Sequence, residues 1–261
     1  MTTRSTCLVT IIALAFVLSP DLHAQRRGGP PPGTPPPSPK AAAPIDLTGY
    51  WVSIVSEDWR YRMVAPAKGD YQGVPMTPEG FKMAEAWDPA VDTALGNQCK
   101  SYGAAAIMRV PGRVHITWQD DDTLGLDTDA GTQTRTFRFG SSVATSSEPT
   151  WQGESSARWE TPGGRGRGGP PAADAPKTGS LKVVTTKLRA GYLRKNGVPY
   201  SENAVVTEHF DLASHNGSQY LMVTSIVEDS RFLQQPFIVS TQFKKQADAA
   251  GWDPTPCSAT W

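Results

Sequence analysis

From Ile45 onward, apolar and polar residues repeat with a period of two, and that alternation leaves little choice but β-strands with one buried face. Asp46-Leu47-Thr48-Gly49-Tyr50-Trp51-Val52-Ser53 opens the pattern directly after a stretch dominated by proline, glycine and alanine. Residues 114–119 and 123–128 alternate cleanly and are separated by Asp120-Asp121-Asp122; Asp129-Ala130-Gly131 then precedes a third strand at 132–139. Short strands with Asp/Gly turns between them predict an antiparallel meander. The same period recurs at 150–160, 181–188, 204–210, 219–228 and 237–244. One helix is expected at 77–87, where Thr77 suits the N-cap and Pro78 the first turn. Asn196-Gly197 supplies turn chemistry within 192–201. The fold class is therefore all-β: a single antiparallel β-barrel or a strongly curved sandwich, with about eight to ten strands and one short helix.

The ends set the compartment. Arg4 precedes an apolar run at 7–18 that is too short to span a bilayer, and small or polar residues follow to Ala24. Residues 1–24 read as a secretory signal peptide, so the mature chain is expected to be exported, periplasmic or extracellular, with no integral membrane segment. Residues 25–44 lack apolar groups to bury and are rich in proline, which predicts a disordered tether. The β-domain is then expected over 45–261, interrupted by a low-complexity Gly/Pro/Arg loop at 161–179. Without Cys7, the cysteines left are Cys99 and Cys257. An oxidising compartment favours one disulfide between them, with two separate thiols as the alternative. Neither cysteine has zinc-site spacing, so no metal and no cofactor is expected. The formal net charge of zero offers no electrostatic reason for a nucleic-acid partner. Oligomeric state is open.

A Gly-x-Trp entering an alternating segment resembles the first strand of lipocalin-type barrels. The second half is similar to a group of uncharacterised exported bacterial proteins sharing an ordered pattern. Its pieces here are Gly153-Glu154-Ser155-Ser156-Ala157-Arg158-Trp159-Glu160, Val183-Val184-Thr185-Thr186 and Gly191-Tyr192-Leu193-Arg194-Lys195-Asn196-Gly197. Thr207-Glu208-His209-Phe210 and Val227-Glu228-Asp229-Ser230 with Gln235-Pro236-Phe237 complete it. The chain departs from the pattern in the Gly/Pro/Arg insertion after Glu160 and in Ser230, where proline is usual. The resemblance implies a lipocalin-like β-architecture and export, and it carries over no catalytic residues.

Three kinds of residue are candidates for function. His115 and His209 lie on the polar side of their strands, and with Glu154, Glu160 or Glu208 they would form an acid–base pair if those faces turn inward. If they turn outward, they are solvated. Trp51, Trp59, Tyr61, Trp118, Trp151, Trp159 and Tyr220 would line an apolar ligand cavity, or serve as ordinary core and barrel-end packing. Arg60, Arg62 and Arg231 follow acidic couplets and would either meet an anionic ligand at a rim or stand as charged strand ends in water. Gly153 to Ala157 resembles a truncated nucleophile elbow, but strand sequence on both sides argues against one. The Asp120 and Asp129 turns lack the ligand spacing of an EF-hand and read as solvated hairpin turns. Three readings follow. The first is a non-enzymatic binder of a small, partly apolar molecule. The second is a hydrolase or isomerase with a His/Glu pair inside the barrel, and the third a structural or envelope-interaction module. A filled barrel interior would favour the third.

Overall fold

The structure is a computed structural model that describes residues 35–140, 148–161 and 178–260. The expected signal peptide at 1–24, residues 25–34 of the expected tether and residues 162–177 of the expected Gly/Pro/Arg loop lie outside the described residues.

Nine strands close into a barrel, as the alternation requires. In chain order they are β1 (Gly49–Ile54), β2 (Arg113–Trp118), β3 (Thr123–Thr128), β4 (Gln133–Phe139), β5 (Glu154–Glu160) and β6 (Ser180–Thr186), then β9 (Val205–His215), β10 (Ser218–Glu228) and β11 (Phe237–Lys245). A two-stranded ladder, β7 (Gly191–Tyr192) with β8 (Pro199–Tyr200), stands apart from the barrel and turns at Asn196-Gly197. Around the ring the order is β1-β11-β10-β9-β6-β5-β4-β3-β2. All neighbours are antiparallel except β4 and β5, which run parallel with Phe137 opposite Ser155. The expected all-antiparallel order fails at that one seam, where β4 and β5 run in the same direction. β5 and β6 pair as far as Glu160 and Ser180, so the inserted Gly/Pro/Arg segment joins the two strands of one hairpin.

Among the described residues, three short helices precede the meander: α1 (Trp59–Arg62), α2 (Pro78–Glu85) and α3 (Pro89–Ala94). The expected helix is α2, and the Thr77 hydroxyl caps it by accepting from the Gly80 amide at 3.1 Å. Gly80 lets α2 approach the barrel connection closely, since a Cβ there would stand 2.6 Å from the Phe232 carbonyl oxygen. The α1 and α3 segments and the 3₁₀ turns Gln98–Tyr102 and Ile107–Arg109 carry no long amphipathic period, and the sequence reading does not find them. None of the described helices is long and apolar enough to cross a membrane.

The barrel interior is packed with side chains. Trp51, Ile116, Leu124, Phe137, Phe210, Leu221 and Phe243 belong to one apolar cluster, and Val206, Val227 and Phe237 to a second. A polar belt divides them. Along β9, Glu208 lies between Val206 and Phe210; along β10, Ser225 lies between Val223 and Val227. Ser225 sits opposite Glu208 in register, and Ser155 opposite Thr185. Trp51 is fully buried; its indole donates to the Leu47 carbonyl at 2.9 Å, and the Lys245 ammonium sits 4.3 Å from its ring centre. The Gly-x-Trp therefore marks the start of a filled barrel.

Two expectations about loops and tether change. Residues from Pro37 on belong to the barrel unit rather than to the tether. The Trp159 indole donates to the Pro39 carbonyl at 2.8 Å, and the Lys40 amide to the Asp121 carbonyl at 3.1 Å. Of the two aspartate turns, Asp120-Asp121-Asp122 is exposed as expected, but Asp129 is buried. Its carboxylate accepts from the amides of Arg113 and Ala130, each at 2.6 Å, and so fixes the start of β2. Cys99 and Cys257 form the expected disulfide, with Cα atoms 5.1 Å apart. It ties the C-terminal segment to the 3₁₀ turn after α3.

Candidate functional site

The residues expected to make an acid–base pair are dispersed. Glu208 points into the barrel and is bound by Arg135, whereas its neighbour His209 faces outward on β9. His209 lies 3.4 Å from Glu160, and both are partly exposed on the outer surface, where no enclosed volume excludes water. His115 also faces outward, stacked on Tyr50 with ring centres 3.9 Å apart. Glu154 pairs with Lys187 at the end of β5. Ser155, the central serine of the elbow-like stretch, is buried near the start of β5 and shares a hydrogen bond with Thr185 at 2.8 Å. The interior-pair arrangement does not form, because β2 and β9 give their inward positions to apolar residues and Glu208.

The aromatic candidates also separate. Trp51 fills one end of the barrel, and Trp118 and Trp159 pack with Phe139 at ring distances of 5.5 to 6.4 Å. Trp151 holds the Arg189 guanidinium over its ring, Tyr220 is on the outer face of β10, and Trp59 is exposed on α1. Trp151 also lines an open, mostly polar cleft of about 340 Å³ with Gln133, Arg138 and Gln152, and Tyr61 lines a larger one with an apolar wall.

That cleft comes from a mismatch in strand length. β1 ends at Ile54, opposite Gln242, whereas β11 extends back to Phe237. The stretch from Phe237 to Thr241 therefore pairs with β10 on one side and has no β1 partner on the other. Residues 57–62, the end of the Ile107–Arg109 turn and the β7–β8 turn close around this edge. They leave an open cleft of about 370 Å³ lined by Tyr61, Gln72, Phe237, Val239 and three arginines.

Arg62, Arg109 and Arg194 are all buried. Arg62 donates to the Arg109 carbonyl at 2.9 Å, to the Ser53 hydroxyl at 3.0 Å and to Glu57. Arg109 donates to the Leu193 carbonyl at 3.2 Å and to Asp58. Arg194 donates to the Gln72 carbonyl at 2.7 Å, lies 3.9 Å from the Asp58 carboxylate and stacks 4.1 Å from the centre of the Tyr61 ring. The Arg109 guanidinium lies 5.6 Å from the Phe237 ring centre. Burial pushes Arg109 down to about 10; Asp58 opposes that shift, while Arg194 and Arg62 add to it. Burial also lowers Arg62 and Arg194, again against the pull of nearby carboxylates. Two donors are left over: the Nε groups of Arg109 and Arg194 are buried and have no hydrogen-bond partner.

Of the rim arginines read from sequence, Arg62 belongs to this cluster. Arg60 instead pairs with Asp70 at 2.7 Å, and Arg231 with Glu79 at 2.8 Å, both at the surface. Arg109 and Arg194 were missed. Arg194 lies within the Gly191–Gly197 element of the resemblance, and the structure shows what that element does. Asn196 is buried and donates to the Ala67 and Asp70 carbonyls, and Lys195 is buried with its ammonium 2.7 Å from the Tyr102 hydroxyl. The turn thus docks the β7–β8 ladder and directs Arg194 into the cleft.

Chemically, the cluster is suited to holding an anion, since guanidinium forks match the planar oxygens of carboxylates and phosphates. Among the described residues, no three His, Cys, Asp or Glu side chains gather to hold a metal ion. No family model matches the chain, and no curated protein and no solved structure matches it either.

Proposed function

We propose that the protein is an exported binder of a small, partly apolar molecule, held in the arginine-lined cleft beside β11. The observation that carries this reading is the combination in one open cleft of an apolar wall, Phe237, Val239 and Tyr61, with buried guanidinium groups that retain unused donors. Such a wall with a few convergent polar groups is the usual chemistry of a small-molecule site. The disulfide supports export. The acid–base alternative draws little support from a His209–Glu160 pair that stands in solvent. The filled barrel supports the structural or envelope-interaction reading as the runner-up, because apolar side chains and the Arg135–Glu208 pair pack its interior.

Native mass spectrometry of protein purified from its own host, followed by amide-shift mapping of any extracted molecule, tests the proposal. The expected result is a bound small molecule whose shifts centre on Tyr61, Phe237 and Val239. Shifts centred on the separate outer pocket of about 300 Å³ at Tyr50, His115 and Trp252 would overturn the assignment of the cleft. A chain that carries nothing, and responds to no added small molecule, would favour the interaction module.

A further inference from the structure

On the reading that the cleft binds a small molecule, we infer that the ligand's polar end is a single carboxylate, which takes the place of the Asp58 side chain on Arg109 and Arg194.

Charge comes first. Three buried guanidiniums, Arg62, Arg109 and Arg194, face two carboxylates, Glu57 and Asp58, in and around the cleft. One positive charge is left over. A ligand carboxylate in the place of Asp58 keeps that balance, one negative charge exchanged for another.

Asp58 itself behaves as an internal ligand. It occupies the N-cap position of α1, where an aspartate side chain ordinarily accepts from its own helix, yet its carboxylate makes no capping hydrogen bond. Its carboxylate goes to Arg109 and Arg194 instead. To place it there the backbone adopts φ 52°, ψ 27°, a left-handed conformation that an L residue enters at some cost. That carboxylate is partly exposed while the guanidiniums behind it are buried, so it sits between solvent and the arginines. A ligand carboxylate arriving from solvent meets Asp58 first and competes with it for a site already shaped for a carboxylate.

The rest of the ligand follows from the walls. The Tyr61 and Phe237 rings flank the arginines, and Val239 continues the apolar surface along the open edge of β11. An aromatic or branched aliphatic body of modest size joined to one carboxylate suits about 370 Å³.

The test uses the mature protein, its Asp58→Asn variant and three probes: 3-phenylpropanoate, 3-phenylpropanamide and inorganic phosphate. Binding is followed by calorimetry and by the NMR signals of the arginine Nε–H groups. Asparagine tolerates the left-handed conformation, and Asp58→Gly is a second variant that relaxes it altogether. The expected result is that 3-phenylpropanoate binds at least tenfold more tightly than the amide and moves the Arg109 and Arg194 signals. Both Asp58 variants should tighten it at least fivefold further. Equal binding of acid and amide, or preference for phosphate, would overturn the carboxylate assignment while leaving the cleft as a binding site. Carboxylate binding that is unchanged or weaker in both Asp58 variants would overturn the displacement. If no probe binds either the unmodified protein or the variants, the small-molecule reading falls with it.

Discussion

Arg135 on β4 and Glu208 on β9 meet inside the barrel, across two intervening strands, with neither side chain exposed. The guanidinium donates to both carboxylate oxygens, at 3.0 and 2.5 Å, and Thr185 and Ser225 lie within 3.5 Å of the pair. A buried pair contributes little net stability against an apolar replacement, yet leaving one charge behind is costly. Arg135→Met or Glu208→Leu alone should therefore destabilise by about 3–5 kcal/mol in urea unfolding. The double variant should cost less than either single change. Simple additivity would show that the two groups are not coupled.

The same two residues show how far the sequence could be read. Arg135 alternates with Phe137 and Phe139, and Glu208 with Val206 and Phe210, so each inward position follows from period two. The barrel, α2 and the disulfide were legible for the same kind of local reason. The cleft was not. Arg62, Arg109 and Arg194 come from a one-turn helix, a 3₁₀ turn and a hairpin tip, far apart in the chain and without a shared period. Their convergence depends on β1 being shorter than β11, which is a matter of register between strands that no local window contains. The parallel seam between β4 and β5 escapes for a related reason, since strand direction depends on the path of the connecting segment.

The disulfide joins residues 158 positions apart in the chain. The C-terminal segment is otherwise held by a few hydrogen bonds, among them Thr255 amide to Asp129 carbonyl at 2.9 Å and Ser258 amide to Tyr102 hydroxyl at 3.4 Å. Replacing both cysteines by serine should cost about 2–4 kcal/mol, mostly through a less constrained unfolded chain. Urea unfolding of the oxidised protein, the reduced protein and the double variant checks this. The last two should coincide, and a midpoint indifferent to reductant would contradict the prediction.

Trp159 anchors the segment before β1 through one hydrogen bond to Pro39. Trp159→Phe keeps much of the packing against Trp118 and Phe139 but removes the donor. The cost should be about 0.5–1.5 kcal/mol. Its signature is local: the Lys40 amide, bonded to the Asp121 carbonyl, should exchange faster, while the amides of β5 and β6 keep their protection. Uniform loss of protection across the barrel would mean that the indole serves the core rather than the anchor.

Lys195 gives the protein a defined pH response. Burial lowers its ammonium from the ordinary lysine range to about 8. In the unfolded chain the same group holds its proton to about pH 10.4. Between those values the unfolded state binds more protons, so this group makes stability rise with pH. Below pH 8 both states are protonated and the burial penalty is complete and constant. A Lys195→Met variant lacks the amine, so its stability relative to the unmodified protein should be highest below pH 8 and decline toward pH 10. The decline is at most about 1.4 kcal/mol for each pH unit crossed. Loss of the hydrogen bond to the Tyr102 hydroxyl shifts the whole comparison by a constant and leaves the slope. Tyr102, Tyr192 and Tyr200, which burial raises, contribute the opposite slope above pH 10 in both proteins, and the difference largely cancels it. Urea unfolding at half-unit steps from pH 7 to 10 measures the difference. A flat line across that window would show that Lys195 keeps its proton in the folded state.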